Sequence, residues 1–591
     1  MSGIVGMVNG HAVARDLVSA LSRLDERGYD SSGLVVAGPG FAVRKVAGPA
    51  SMLASNLAGA DFAGRAGIAN ARWAGHDRPE AHSAPPIVWG GVAIVHSGVI
   101  ENHQALRREL KALGHAFDTE ADGEVIPHLI AAARTAGATP DAALRAACTR
   151  MRGGFAIAAL FMEAPDRVLV ACHGSPMVVA RGACGVAAAS DAVVLMALAD
   201  DCATLEYGDT AELGGAGVRI LDRNGEAAER PWRPLGVHAE AAQAPASDRF
   251  VHHARREIAA QPETLRQTDA ALRGLVLPAA IAAPERLHIV AAGSSLHAAA
   301  AARGWVEQFC GLPCDVQPAG KWRDRPIALA GGTLGVLVSR SGEHRDVLAA
   351  LQGLRARGVA TVAVTNAPHS SLARGADLSW PTMAGPEFGV AASKSFTAHL
   401  LALLRLARAL GAARGALGGA DARQVDRALA DAPLACALAE AAEARFAAIG
   451  ARIGRAGAVI VIGRGWGAGL AAEAAAQVRR LAHVHAEAVP HGDLGDAPLA
   501  GLPSLVLASA DRHLAPTTVA AEAVRGRGGH VIALAEAACS ARLDHVAHEV
   551  VALPGRGLAQ MFAQAVALQL IAYHTALALG RDVDRPHGLA A

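Results

Sequence analysis

The chain has 591 residues, enough for about three to five domains of ordinary size. Hydrophobic residues make up 52% and charged residues 18%, a globular composition that excludes a largely disordered chain. Lys plus Arg number 55 and Asp plus Glu 54, so the net charge of +1 argues against nucleic acid as a partner.

Targeting and redox signals are also weak. The N-terminus lacks a signal-peptide pattern, and charges or prolines interrupt the apolar stretches before the ~18–20 residues that a bilayer requires. The 8 cysteines are scattered along the chain, which disfavours a disulfide framework or a structural metal site. We therefore expect a cytoplasmic protein with no membrane association, no metal and no cofactor.

The first ~240 residues combine short strand-like segments with two longer helical patterns. Apolar runs such as 91–96 and 168–172 read as strands, whereas 12–27 and 104–113 have helical spacing. This mixture predicts an α+β sandwich. A stretch rich in Ala, Pro, Ser and His at 236–250 predicts a linker.

From about residue 275 the pattern changes to strand, glycine turn and helix, repeated. Three such strands recur after about 170 residues, which predicts a duplicated, doubly wound α/β domain. The alternative is one large α/β domain. The paired segments are 287–291 with 458–462, 336–338 with 504–508, and 361–365 with 531–534.

Two loops of the first repeat carry serines where a strand leads into a helix, at 294–295 and 339–343. Ligands of open parallel sheets bind beyond the carboxyl ends of the strands. Hydroxyls and backbone N–H groups at helix N-termini suit a phosphate dianion. Plain N-capping by serine explains either loop alone. Two such loops on one sheet favour an anion site.

Ordered motifs along almost the whole chain resemble those of the glucosamine-6-phosphate synthase family, the glutamine:fructose-6-phosphate amidotransferases. The matching segments are 2–6, 27–33, 72–74, 98–103, 339–343, 384–387, 485–488 and 582–584.

The resemblance implies an α+β N-terminal nucleophile-type glutaminase sandwich followed by two α/β SIS (sugar isomerase) domains. The expected boundaries are 1–235 for the glutaminase-like domain, 236–275 for a linker and helical lead-in, 276–420 for the first SIS domain, and 421–591 for the second with a C-terminal tail. It also implies a homodimer that binds a phosphorylated sugar and glutamine.

The glutaminase chemistry departs from the family at two positions. The family has a cysteine nucleophile at residue 2 and an asparagine in the oxyanion hole, but this chain has Ser2 and Ser97. Serine is a poor nucleophile without a base, although an N-terminal amine can in principle serve as one. Losing one oxyanion donor typically costs about 10²–10³ in rate. We therefore regard Ser2 as a weak nucleophile and expect little glutaminase activity.

The residues that hold glutamine in the family are mostly retained. The resemblance implies that Arg72 binds the substrate carboxylate and Asp122 its α-amine, while Trp73, His76 and Gly98 keep their places. Trp73 matches the gate of the family's ammonia channel. A surface salt bridge for Arg72 and a core position for Trp73 are the alternatives. One basic and one acidic side chain suit the two charges of an amino acid.

The resemblance also implies a phosphosugar site in the first SIS domain. Four positions carry hydroxyls, and an arginine replaces a family glutamine, which adds positive charge for a dianion. A histidine that stands where the family has threonine is a further candidate for catalysis. The expected site residues are Ser294, Ser295, Ser339, Arg340, Ser341, His344 and Val390.

The proton-transfer groups of the family are missing. Aligned from Glu473, the family's lysine and glutamate base are Gln477 and Arg480. The ring-opening histidine is Asp496, and the C-terminal lysine falls at Ala591. We expect no useful conversion of fructose 6-phosphate and ammonia to glucosamine 6-phosphate.

A rearranged site is the alternative, with Asp496 as a base, His344 or His491 as a proton shuttle, and Arg480 binding an additional acidic group. Three functions therefore stay open. The chain is an amidotransferase or isomerase with altered chemistry or substrate, a non-catalytic phosphosugar sensor or partner subunit, or an enzyme that runs the family reaction slowly.

Overall fold

The structure is a computed structural model that divides into two compact units, and each unit is described by itself. The described residues are 3–24, 30–57, 62–72, 82–235, 250–324, 326–368, 370–490, 493–495 and 499–584. Unit 1 is described within 3–235 and unit 2 within 250–584.

Unit 1 contains two antiparallel sheets and helices on their outer faces. Its strands are β1 (Gly3–Asn9), β2 (Ser31–Ala37), β3 (Phe41–Val46), β4 (Ala66–Arg72), β5 (Ile87–Trp89), β6 (Val92–Gly98), β7 (Phe155–Phe161), β8 (Ala164–His173), β9 (Val178–Gly182), β10 (Gly185–Ala189), β11 (Asp201–Thr204), β12 (Thr210–Gly214), β13 (Gly217–Leu221) and β14 (Arg233–Pro234). Its helices are α1 (Ala14–Ser22), α2 (Ala50–Asn56), α3 (His103–Ala112), α4 (Val125–Thr135) and α5 (Pro140–Arg150).

Among the described residues, one sheet has the order β14-β11-β9-β10-β1-β4-β2-β3 and the other β13-β12-β8-β7-β6-β5. Side chains alternate between the faces of a strand. Ile4 and Ile68 of the first sheet therefore pack against Val95 and Ala158 of the second, while Val5 lies under α1. The predicted α+β sandwich is confirmed.

Unit 2 is built from parallel strands and helices. Its strands are β15 (Arg286–Ala291), β16 (Cys314–Pro318), β17 (Thr333–Ser339), β18 (Ala360–Thr365), β19 (Leu378–Pro381), β20 (Ala458–Gly463), β21 (His485–Pro490), β22 (Pro503–Ala508), β23 (His530–Glu536) and β24 (Glu549–Leu553). Its helices are α6 (His253–Ala259), α7 (Gln261–Arg273), α8 (Ala279–Ala282), α9 (Ser294–Cys310), α10 (Lys321–Asp324), α11 (Arg345–Arg355), α12 (Ser371–Gly375), α13 (Lys394–Ala413), α14 (Gly419–Glu440), α15 (Glu443–Ala456), α16 (Gly467–Ala482), α17 (Leu514–Gly526) and α18 (Gln560–Ala578).

The two parallel sheets of unit 2 have the same strand order. The first is β16-β15-β17-β18-β19 and the second β21-β20-β22-β23-β24. The strands predicted to be equivalent occupy equivalent places, so the duplication of a doubly wound α/β domain is confirmed. Helices of both repeats, including α9, α13, α16 and α18, pack in one shared hydrophobic core.

Two segments of unit 2, Lys394–Ala413 and Gly557–Ala578, are long and apolar enough to cross a membrane by length and composition alone. Inside the fold, 72% of the most apolar 18-residue stretch of the first segment and 83% of that of the second is buried. Such burial is typical of the core helices of a folded domain.

Candidate functional site

In unit 1, the candidate glutamine-binding residue Arg72 faces the space between the two sheets. Ile68 of β4 packs in the core between the sheets, and alternation places Asn70 and Arg72 on the same face. The Asn70 side chain donates a hydrogen bond of 2.7 Å to the carbonyl of Gly3, at the start of β1. Arg72 donates to the carbonyl of Ser83 at 2.9 Å.

Ser97 faces the same space from the opposite sheet. It follows Val95, which packs between the sheets, by two residues, and its side chain is buried. Arg72 and Ser97 thus face the space between the two sheets of unit 1 from opposite sides. Ser2, Trp73 and His76 lie outside the described residues, so the full predicted glutamine site stays a prediction.

Asp122 is held by groups of its own chain. Its Oδ2 accepts a hydrogen bond from the N–H of Ile100 at 2.8 Å, its Oδ1 accepts one from the N–H of Gly123, and His96 Nε2 lies 3.4 Å away. Burial opposes ionisation, but the hydrogen bonds with His96 and Ile100 hold the pKa of Asp122 well below its usual range. The carboxylate is therefore charged. Its predicted contact with an α-amine stays a prediction.

Gly98 has a backbone reason to be glycine. Its φ is +116°, and a Cβ atom there would lie 2.0 Å from the carbonyl oxygen of Gly154. A side chain at residue 98 would therefore push β6 away from the neighbouring strand.

In unit 2, the hydroxyl-bearing loops of the first repeat meet at the carboxyl edge of its sheet, as predicted. Ser294 begins α9, and its Oγ donates to Glu473 Oε1 at 2.9 Å. Ser295 is buried, with its Oγ 3.5 Å from His399 Nδ1.

The loop after β17 has a defined turn in which both serines accept backbone hydrogen bonds. Ser339 Oγ accepts from the N–H of Gly342 at 3.1 Å, and Ser341 Oγ accepts from the N–H of Glu343 at 3.2 Å. A hydroxyl that accepts in this way keeps its own proton for another acceptor. Both serines can therefore donate to a phosphate oxygen.

Gly342 allows this turn to pack against the next loop. Its φ is +65°, and a Cβ atom would lie 1.9 Å from Ser370 Oγ. His344 follows the turn as an exposed residue just before α11.

Arg340 pairs with a buried carboxylate. One guanidinium nitrogen lies 3.1 Å from Glu387 Oε2, and the Glu387 side chain is 1% exposed while that of Arg340 is 47% exposed. Burial acts to raise the pKa of Glu387, but Arg340 and the Ser395 hydroxyl outweigh it, so the pKa falls. Part of the positive charge expected for a dianion is thus already balanced by Glu387.

The two substituted family positions on α16 face the segment after β19. Gln477 is buried and donates to the carbonyl of Ala392 at 2.8 Å and to Glu473 Oε1 at 2.9 Å. Arg480 donates to the carbonyl of Val390 at 3.2 Å. The structure therefore brings Gln477 and Arg480 to the predicted sugar-facing residue Val390. His491, Asp496 and Ala591 lie outside the described residues.

Sequence reasoning missed a histidine–carboxylate pair beside Ser294. His297 Nδ1 lies 2.7 Å from Glu473 Oε2, and the Glu473 side chain is 4% exposed. The spacing of three residues between Ser294 and His297 places both on one helix face, which was the available signal. Glu473 lies 176 residues further along the chain, so no local pattern predicts the pairing.

A second buried carboxylate, Glu257, was also missed. Its oxygens accept hydrogen bonds from the N–H groups of Phe388 and Gly389, in the loop that leads to Val390. Burial, together with the nearby charge of Glu387, raises the pKa of Glu257 to about 8. Glu257 and Glu387 thus fix the loop of the predicted sugar site from two sides.

The comparisons with known proteins agree with this architecture. A family model described as "SIS domain" matches residues 280–409, and one described as "Glutamine amidotransferase domain" matches residues 75–197. Curated proteins named glutamine–fructose-6-phosphate aminotransferase (isomerizing) match the whole chain. The protein from Bradyrhizobium diazoefficiens is 34% identical and that from Caulobacter vibrioides 35%, and each alignment covers 100% of this chain and 99% of the relative.

A solved structure matches unit 2. The C-terminal domain of glucosamine-fructose-6-phosphate aminotransferase from Francisella tularensis is 28% identical, with a TM-score of 0.55. The match covers 57% of this chain and 99% of that domain.

Proposed function

The chain belongs to the glutamine–fructose-6-phosphate aminotransferase (isomerizing) family, and from this premise we propose that it binds a phosphorylated sugar and acts on it with altered proton-transfer chemistry. The proposed phosphate site comprises Ser294, Ser295, Ser339, Ser341 and Arg340, with Val390 facing the sugar. A cytoplasmic homodimer is part of the same proposal, on the family resemblance alone.

The observation that carries the altered chemistry is the contact of Arg480 with the carbonyl of Val390. Isomerisation between an aldose and a ketose needs a base that moves a proton between adjacent carbons. A guanidinium is always protonated and cannot accept that proton. Gln477, in the family's lysine position, supplies no charge for an anionic intermediate.

We assign the missing base to His297. In this assignment Nδ1–H donates a hydrogen bond to Glu473 Oε2, 2.7 Å away, and the lone pair of Nε2 takes the proton. A carboxylate that orients an imidazole in this way is a recurrent arrangement for general acid–base catalysis. In the proposed step Nε2 removes a proton from the carbon next to the sugar carbonyl and returns it to the neighbouring carbon. His344 and Asp496 remain the alternative bases.

A non-catalytic phosphosugar sensor or partner subunit is the second candidate. Gln477 and Arg480 both donate to backbone carbonyls of the sugar-facing segment, an arrangement that stabilises a binding site without supplying a base. Such a protein binds a phosphosugar without turnover.

For unit 1 we propose that Arg72 and Asp122 hold glutamine or a related amide, with slow hydrolysis at Ser2. Arg72 is half-buried, and Asp122 is ionised, so the two opposite charges of an amino acid find partners. Ser97, in place of an amide side chain, weakens the oxyanion hole.

One experiment tests the sugar chemistry. The purified protein is incubated in D2O with ammonia and a panel of hexose and pentose phosphates, including fructose 6-phosphate, and products and deuterium exchange are followed by NMR. We expect negligible glucosamine 6-phosphate, and deuterium at a carbon next to the carbonyl of one phosphosugar.

The variants separate the candidates. His297→Asn is expected to lower that exchange about 10²–10⁴-fold with phosphosugar binding retained. A loss of exchange in His344→Asn but not in His297→Asn would assign the base to His344 instead. If none of the phosphosugars incorporates deuterium, the non-catalytic sensor is favoured. Robust formation of glucosamine 6-phosphate contradicts the altered chemistry.

A further inference from the structure

The second α/β repeat contains a cavity at the same edge of its sheet where the first repeat has its proposed phosphosugar site. The cavity is partly open to solvent and lies beyond the carboxyl ends of β20 and β22. Its walls include Arg464, Trp466, Ser509, Asp511, His513 and Gln564. None of these residues belongs to the site described above.

The backbone of this edge repeats that of the first repeat. Gly293 and Gly465 lead from equivalent strands into α9 and α16, and their φ angles are +56° and +57°. In both repeats two helices, one after each of the central strands, begin at this edge. Open parallel sheets bind ligands at this place.

The side chains differ between the two repeats. Ala291 pairs with Val338 in the first sheet, and Ile462 pairs with Val506 in the second. With Gly293 matched to Gly465, the serines at 339 and 341 correspond to Ala508 and Ala510. The second edge therefore has no copy of the serine pair, and any ligand must be held by other groups.

Arg464 supplies such a group. It lines the cavity, its Nε atom is buried, and no described hydrogen bond or ion pair engages its guanidinium. A buried donor without a partner destabilises the fold unless a ligand or solvent accepts from it. A buried guanidinium Nε without a partner in a cavity wall is suited to an anionic ligand such as a phosphate, which can accept from it and from the terminal nitrogens together.

The helix ends add to the positive field. α16 and α17 begin at the cavity, and neither has a side-chain cap on its first N–H groups. Uncapped helix N-termini favour negative charge. The carboxylate of Asp511 opposes this field, but it accepts the N–H of His513 at 2.7 Å at the start of α17.

The remaining walls suit the body of a sugar. Trp466 offers an aromatic face, and its ring stands edge-on to His513 with centroids 6.5 Å apart. His513 packs over the Gly465 turn, where a Cβ atom would lie 2.7 Å from its Nε2. Ser509 donates to Gln560 Oε1 at 2.7 Å and Gln564 to the carbonyl of Leu534 at 3.2 Å, so their oxygens, together with the Asp511 carboxylate, remain as acceptors for hydroxyl groups.

We propose that the second repeat has its own binding site for a phosphorylated sugar, with Arg464 on the phosphate and Trp466 against the sugar ring. This site is separate from the one under the proposed function and does not depend on it. Two repeats of one fold then bind related ligands with different phosphate-binding groups.

Calorimetry on the full chain with fructose 6-phosphate as the probe tests the proposal. We expect two sites per chain in the wild type. Ser339→Ala with Ser341→Ala should remove one of them, and Arg464→Gln should weaken the other about 10- to 100-fold, as for loss of a charged hydrogen bond. Arg455→Gln, on the exposed end of α15, is the matched control and should leave both sites unchanged.

Tryptophan fluorescence provides a second measurement that does not need the arginine variant to fold. Fructose 6-phosphate should change the emission of the protein with Ser339→Ala and Ser341→Ala, and Trp466→Phe in that background should abolish the change.

The outcomes are distinct. A single site that disappears with Ser339→Ala and Ser341→Ala and is unaffected by Arg464→Gln overturns the second site. A single site that is unaffected by Ser339→Ala with Ser341→Ala but weakened by Arg464→Gln supports the second-repeat site and overturns the first-repeat site. Equal affinity for inorganic phosphate and fructose 6-phosphate overturns the assignment of a sugar ligand.

Discussion

At residues 477 and 480 the chain places an amide and a guanidinium where the family resemblance expects a lysine and a glutamate. Both side chains donate to carbonyl oxygens of the 390–392 segment, so each substitution is accommodated by a specific hydrogen bond. Glu473, between α9 and α16, accepts from Ser294 and Gln477 and pairs with His297. Gln477 is therefore part of a connected polar network around Glu473, and Arg480 is held separately by the Val390 carbonyl.

At the same scale, the serine turn after β17 predicts how a phosphosugar is held. Ser339→Ala with Ser341→Ala removes two hydroxyl donors and also leaves the N–H groups of Gly342 and Glu343 without their acceptors. We expect affinity of the first-repeat site for a phosphosugar to fall about 10-fold or more. Calorimetry measures this loss, with Ser540→Ala, a half-buried serine outside this site, as the control. Equal affinity in both variants would contradict the site.

The glutaminase prediction also rests on single residues. We expect slow hydrolysis of glutamine by the wild-type protein. Ser2→Cys together with Ser97→Asn should raise the rate about 10²-fold or more, because a better nucleophile and an oxyanion donor are restored. Release of glutamate measures the rate. Adding Arg72→Ala should weaken glutamine binding in the restored variant, and an unchanged KM would exclude Arg72 from the site.

At the scale of elements, the loop from β19 to α13 is fixed by two buried carboxylates that differ in protonation. Glu387 is ionised against Arg340, whereas Glu257, on α6, holds the N–H groups of residues 388 and 389. Because the two carboxyls are close enough to interact, only one of them ionises easily. The position of Val390 thus depends on whether the Glu257 carboxyl, on the neighbouring helix α6, is protonated.

Glu257 gives this loop a pH-dependent stability. The pKa of Glu257 is raised to about 8 in the folded chain, above its unfolded value of 4.5. The folded state therefore binds one more proton between these values, and this contribution to stability falls as pH rises from about 4.5 to about 8. Glu257→Gln, which stays neutral, should flatten that part of the stability curve.

Denaturant unfolding at several pH values tests this expectation. Glu263→Gln, on the exposed side of α7, is the matched control, because its side chain is more than half exposed. A curve for Glu257→Gln that declines as steeply as that of the wild type would contradict the role of Glu257.

At the scale of the whole molecule, the fold followed from periodicity because each repeat has its own strands, turns and glycines in the same order. The carboxyl-edge loops were predictable for the same reason, since the topology of a parallel sheet decides where its loops meet. The partners of those loops were not predictable. Glu473 reaches Ser294 and His297 only because the two repeats share a core that brings α9 against α16.

The compactness of unit 2 gives a prediction at this scale. A fragment of residues 246–591 contains the whole of its shared core, so we expect it to unfold in one cooperative transition. Its affinity for phosphosugars should stay within about 3-fold of the full chain, because the first-repeat site takes its described contacts from this unit. Thermal melting and calorimetry check both points. A fragment that folds but does not bind would show that unit 1 contributes to the site.

The hydrogen bond between Arg480 and the Val390 carbonyl also bears on how this protein can evolve. Arg480→Glu on its own would introduce the residue that the family resemblance expects but point a carboxylate at a carbonyl oxygen, with Gln477 rather than a lysine one turn away on α16. We expect the family's lysine–glutamate pair to be useful here only if both positions change together. A first step in either order therefore loses a hydrogen bond before the lysine–glutamate pair is complete, so a single change toward the family's residues is disfavoured.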